Sequence, residues 1–256
     1  MSRLWWVVAL AVASGCANPL GRQYEYEEQY YLSVDGSASI VIDASVPALV
    51  ALRGLPIDPA PLVATDVNQL RRLFETGGCR VVRIGQPWRR DGRRFVQIRL
   101  SVDDIRTLGA CAPLGWSTYA FDRSAASIDY QQRIGPAAAG DPGKVNWRGA
   151  ELVAVKLHLP SKITFHNVRR LDNGETGDLE RGNILTWEQR LSDRLAGKPI
   201  DIHVTMEAES ILYRTLYLFG GAFAAALIVM ICIVWWVIRR GRSRAARLKP
   251  GPTSAS

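Results

Sequence analysis

Chemistry-bearing residues are scarce in this 256-residue chain, which has four cysteines, three histidines and no acidic residue after Glu209. No CxxC occurs, so thioredoxin-like redox chemistry lacks its motif. No HExxH or paired CxxC occurs either, and these are the spacings that hold zinc. The nucleophile elbow GxSxG, the Walker A loop and the dinucleotide-binding GxGxxG are also missing. These absences lead us to expect a protein that is not an enzyme and needs neither metal nor cofactor.

Charge gives a second exclusion. The formal net charge of +8 invites a nucleic-acid reading, but residues 17–214 carry 25 basic and 24 acidic side chains, a net of +1. The excess lies in Arg3 and in six residues behind the last apolar run, from Arg239 to Lys249. Such a distribution marks topology and leaves no basic footprint for DNA or RNA.

Two apolar segments carry the topology. Residues 1–16 begin with Arg3, continue through an apolar stretch from Leu4 to Ala13 and end in small residues, the layout of an export signal. That stretch is too short to span a hydrocarbon core of ~30 Å. Its end, Ala13-Ser14-Gly15-Cys16, resembles a lipobox, which implies cleavage before Cys16 and a lipid on its thiol. Ala13 stands where Leu is usual, and an ordinary signal cut near Ala13 or Ala17 is the alternative.

The second segment, Thr215 to Ile238, runs for 24 residues without a charge. As a helix it reaches about 36 Å, enough to cross a bilayer with some tilt. Tyr213 and Tyr217 flank one end and Trp235 and Trp236 the other, where amphipathic rings favour the interface. The tail 239–256 is basic, so the positive-inside rule predicts a transmembrane helix at 211–238 with the C-terminus cytoplasmic. Gly220 and Gly221 precede Ala224 and Ala225 by four residues, a spacing of small residues that permits close helix packing and self-association.

Between these segments the pattern predicts a strand-rich α+β ectodomain of antiparallel hairpins with a few short helices. Tyr24, Tyr26, Glu28, Tyr30 and Leu32 alternate along one face, and Asp35-Gly36 marks a turn into Ala38, Ile40 and Ile42. A short helix is expected at 46–53 and another from about Val67 to Phe74, stopped by Gly77-Gly78. A second hairpin joins 79–84 to 95–100 through QPWRRDG, and Ser101 with Asp104 resembles a capping box for a short helix. Strands are expected at 117–122 and 126–134. Residues 135–149, rich in Gly, Pro and Ala, read as a linker between a first half, 17–134, and a β-rich second half, 150–210. One domain and two subdomains both fit this division.

Few side chains stand out as candidates. Cys79 and Cys111 lie outside the membrane in an oxidising compartment, where they form either a disulfide or two buried free thiols. His158, His166 and His203 fall in strands and read as ordinary sheet residues. The acidic stretch from Asp172 to Asp178 lacks EF-hand spacing and reads as a solvated hairpin loop. The adjacent pairs Glu27-Glu28 and Asp103-Asp104 read as caps or surface charges. Trp88, between Pro87 and Arg89-Arg90 at a hairpin tip, is placed to touch lipid headgroups or a partner.

With the lipobox, the hairpin-rich ectodomain, the RGNILTW stretch at 181–187 and the terminal span in place, the chain resembles the LppM-type bacterial membrane lipoproteins. The resemblance implies a curved sheet packed on helices and able to enclose an apolar ligand, with no catalytic residues to carry over. The expected protein is therefore a membrane-tethered extracytoplasmic binding or envelope-assembly protein, with lipid as its candidate ligand. A structural subunit of a membrane complex, with an envelope protein as partner, is the first alternative. An envelope hydrolase is the second.

Overall fold

The computed structural model describes residues 22–177 and 183–247, with the backbone alone for 212–214 and 239–247. The signal segment with Cys16, residues 178–182 and the end of the tail lie outside the described residues. The fold is α+β, with strands predominating.

Local chemistry sets the first elements. Strand β1 (Tyr24–Leu32) turns into β2 (Ala38–Ser45) where the Asp35 carboxylate accepts from the Ser37 backbone at 3.0 Å and Gly36 adopts φ 88°. Helix α1 (Val46–Arg53) begins at Ser45, whose hydroxyl accepts from Ala48 N, carries Pro47 in its first turn and ends on left-handed Gly54. Helix α2 (Val67–Phe74) is capped by Asp66, which accepts from Asn68 N and Gln69 N, and it buries Leu70 and Phe74. Asp66→Ala is expected to cost about 1 kcal/mol of stability in a denaturant melt. An unchanged midpoint would show that tertiary packing alone holds α2.

Two sheets follow. The larger has the order β10-β8-β1-β2-β5-β3, with β4 also on β5; these strands are β3 (Arg80–Ile84), β4 (Trp88–Arg90), β5 (Arg93–Val102), β8 (Leu152–His158) and β10 (Ile184–Arg190). The smaller has the order β6-β7-β11-β9, made of β6 (Ser117–Arg123), β7 (Ser127–Ile134), β9 (Ser161–His166) and β11 (Ile200–Ser210). β1 pairs antiparallel with β2, β8 with β10, β5 with β2, β3 and β4, and β7 with β6 and β11, whereas β1 and β8 run parallel with Tyr26 opposite Val153 and Tyr30 opposite Leu157. Parallel neighbours cannot be joined by a tight turn, so this pair depends on chain from distant parts of the sequence.

Each sheet draws strands from both sides of the Gly/Pro/Ala segment, and the described residues through Ala208 form one compact unit. The segment is pinned on the end of α1. Ala138 N donates to Leu52 O at 3.0 Å, and a Cβ added to Gly140 would stand 2.2 Å from Val50 O. Its glycine therefore permits close backbone contact.

The short helix after β5 is a 3-10 segment, Ile105–Ala110, capped by Asp104, whose carboxylate accepts from Arg106 N. Ser101 lies within β5, so the predicted capping box is shifted and the cap belongs to Asp104. A second 3-10 turn, Ala112–Leu114, precedes β6, and helix α3 (Leu191–Leu195) follows β10. A separate unit from Glu209 onward is formed by helix α4 (Ile211–Arg247), which contains the apolar span Thr215–Ile238.

Candidate functional site

The predicted hairpin tip is real, and its three candidate residues divide in role. Trp88 pairs with Phe95 and stacks on its ring at 5.7 Å, yet remains 39% exposed. Arg89 is exposed. Arg90 points the other way along the strand: its guanidinium covers the Phe95 ring at 4.1 Å and donates to the Tyr24 carbonyl. It fastens the hairpin to β1, so the tip's free cation is Arg89.

Sequence alone does not place the apolar loop beside this tip. Arg94, opposite Arg89 in the ladder, donates to Thr65 Oγ1 at 2.8 Å and to the Asp58 carbonyl. Burial lowers the Arg94 pKa; Asp58 opposes this, while the charge of Arg89 adds to it. The loop strapped down in this way carries Leu62, 83% exposed, and Val63. Val63 is two residues from Thr65, hence within about 7 Å of that anchor. The loop thus lies on the face of the hairpin that carries Arg94 and Arg89, and Trp88 stacks on Phe95 on the other face.

Two surface grooves flank the turn at Asp91. One, of about 420 Å³, is lined by Glu25, Arg90, Arg93 and Glu151. The other, of about 370 Å³, is lined by Pro47, Pro59, Pro61, Pro142 and Lys144. Within the first, the buried Glu25 carboxylate pairs with Arg93 at 3.0 Å and accepts from Trp147 Nε1 at 3.0 Å. Most of this charge is internally matched. A third groove, about 570 Å³, holds Arg22, Lys156 and Arg169.

The inward face of β1 is more polar than its alternation implies. Glu28, predicted to be a cap or surface charge, is fully buried and ion-paired with Arg53 at the end of α1. Its carboxylate also accepts from the hydroxyls of Tyr26 and Tyr30, the latter at 2.5 Å. Burial, opposed by the Arg53 charge, pushes Tyr26 up to about 12. Arg53 lies over the Trp116 ring, 3.5 Å from its centroid, and Arg194 of α3 lies 4.8 Å from the same centroid. Tyrosine, tryptophan and arginine side chains thus fill the space facing β1.

Cys79 and Cys111 are brought together. Both are buried free thiols; Cys111 Sγ donates to the Phe74 carbonyl at 3.4 Å, and the neighbouring Cys111, with burial, pushes the Cys79 thiol up. The histidines do not converge: His158 stacks on Tyr31 at 4.0 Å, while His203 contacts Asp129 at 2.8 Å. Thr205 Oγ1 donates to that same Asp129 carboxylate, so the hydroxyl is engaged by the acid and not by the imidazole. Among the described residues no group of three His, Cys, Asp or Glu side chains is placed to hold a metal. On α4, a Cβ added to Gly220 or Gly221 would meet nothing within 4 Å, and the apolar side chains around them are exposed.

No protein-family description matches the chain, and no curated protein matches it. Among solved structures it is similar to the NMR structure of the folded domain of LppM from Mycobacterium tuberculosis. That likeness covers 75% of this chain and 95% of that one, at 12% identity and a TM-score of 0.37.

Proposed function

We propose that this chain is a non-enzymatic, membrane-tethered extracytoplasmic protein whose ectodomain docks on membrane lipid through the tip built from Trp88, Arg89, Leu62 and Val63. The carrying observation is the exposure of Leu62, Val63 and Trp88 around a hairpin that also exposes Arg89. Apolar groups that enter an interface next to a cation suit an anionic headgroup layer. The tether is the span Thr215–Ile238, with the basic tail inside, and Cys16 supplies a second anchor if it is lipidated.

The test is flotation of the ectodomain, residues 22–210, with vesicles of phosphatidylglycerol and phosphatidylcholine. Leu62→Ser with Trp88→Ala and Arg89→Ala is expected to lower the bound fraction at least tenfold, since each large apolar side chain contributes about 1.5–3 kcal/mol on burial. Arg90 is left intact because it holds the hairpin. Equal flotation of both proteins would dispose of the lipid reading, and retention on an envelope protein instead would favour the subunit reading. For that second reading the specific support is the open small-residue face at Gly220, Gly221, Ala224 and Ala225.

A further inference from the structure

The cluster facing β1 has more positive charge than its carboxylate answers. Arg53 has Glu28 as its partner, with side-chain exposures of 1% and 0%. Arg194 is also fully buried, but it donates to two backbone carbonyls, Gly135 O at 2.5 Å and Lys198 O. Both guanidinium carbons lie close to the Trp116 centroid, so the two charges are at most about 8 Å apart. Among the described residues, one carboxylate therefore faces two guanidiniums in an interior where water does not screen them.

The same three residues hold unanswered donors. Among the described residues, Arg53 Nη1, Arg194 Nε and Trp116 Nε1 are buried without a hydrogen-bond partner. All three atoms donate and none can accept, so they cannot satisfy one another. Buried donors of this kind call for a further acceptor, a water or an ion. Water would answer the hydrogen bonds but not the charge. An anion answers both.

We propose that this interior binds a small monovalent anion of the chloride class between Arg53, Arg194 and Trp116. The anion accepts from the three free N–H groups and neutralises the second guanidinium. The Glu28 carboxylate remains with Arg53 and the two tyrosine hydroxyls. This site does not depend on the lipid-docking reading, because it lies inside the ectodomain and its residues are not those of the tip.

The experiment uses the full chain in an uncharged detergent, melted at constant ionic strength as chloride replaces gluconate. A saturable rise in Tm of about 3 °C or more is expected, as for a ligand that binds only the folded state. Arg194→Met is expected to remove the chloride increment. Trp116→Phe, which keeps an aromatic ring but loses the pyrrole half with its donor, is expected to weaken chloride several-fold and serves if the arginine variant does not fold. Broadening of the chlorine-35 resonance by the wild-type chain, reversed by bromide, is the second readout. Melts that superimpose in chloride and gluconate would overturn the proposal and assign the donors to water. Broadening that persists unchanged in the Trp116→Phe chain would also overturn it, by assigning the chloride to the basic tail.

Discussion

Replacing Glu28 with glutamine is expected to destabilise the ectodomain by about 3–5 kcal/mol, because it removes one member of a buried ion pair and strands the other. Arg53 cannot recover by moving into water: its side chain lies under Trp116 with the Tyr26 hydroxyl on its Nε at 2.8 Å. Tyr26 and Tyr30 would also lose the ionised acceptor of their hydroxyl protons. The cycle is completed with Arg53→Met, alone and together with Glu28→Gln. The double variant is expected to lie closer to wild type than the glutamine variant, since a pair of neutral side chains leaves neither member of the ion pair buried without the other. Urea melts of the ectodomain measure all four corners. Equal losses for Glu28→Gln and the double variant would show that Glu28 is worth no more than its hydrogen bonds. Alkali probes the same cluster. The folded Tyr26 resists ionisation up to about 12, against 10.0 when free. Its contribution is therefore complete below pH 10 and is lost as the pH rises through 12.

Why the buried pair escaped a reading of the sequence is instructive. The alternation of β1 puts Tyr26, Glu28 and Tyr30 on one face, and the structure turns that face inward. A carboxylate on that face looks like an error of register unless its partner is known, and the partner closes a helix on another element. At that position an arginine reads simply as a favourable charge at a helix C-terminus. Elements built on local chemistry, such as the Asp35-Gly36 turn and α1 between Ser45 and Gly54, were legible because their determinants lie within a few residues. The parallel pairing of β1 with β8 was not, since nothing local encodes it. The tip shows both cases. Trp88 and Arg89 could be singled out from the hairpin, but Leu62 and Val63 join them only through the strap from Arg94 to Thr65 and Asp58. Arg90 was grouped with them by adjacency, although strand alternation turns it away from Arg89 onto the face where Trp88 stacks on Phe95, and its guanidinium reaches the Tyr24 carbonyl.

The second large effect concerns Cys79 and Cys111. On the proposed extracytoplasmic placement these thiols are expected to be oxidised to a disulfide, and reduction is expected to cost the ectodomain about 4 kcal/mol through the regained entropy of the unfolded loop. The surrounding backbone already brings the two ends together. Ala112 N donates to Thr76 Oγ1 at 3.0 Å, and Gly77, at φ 57°, lies so near Ala110 that an added Cβ would stand 1.9 Å from its carbonyl oxygen. Only glycine permits that approach, so the turn at 76–78 and the end of the 3-10 segment are held in register whether or not the sulfurs are joined. A bridge would therefore act mainly on the unfolded chain, and Cys79→Ala with Cys111→Ala is expected to fold but to melt early. Two measurements decide the matter. A maleimide added to the denatured, unreduced ectodomain should label neither cysteine, and reductant should shift the urea midpoint downward. Full labelling without reductant, or a midpoint indifferent to it, would leave Cys79 and Cys111 as a packed thiol pair whose worth lies in the core they fill.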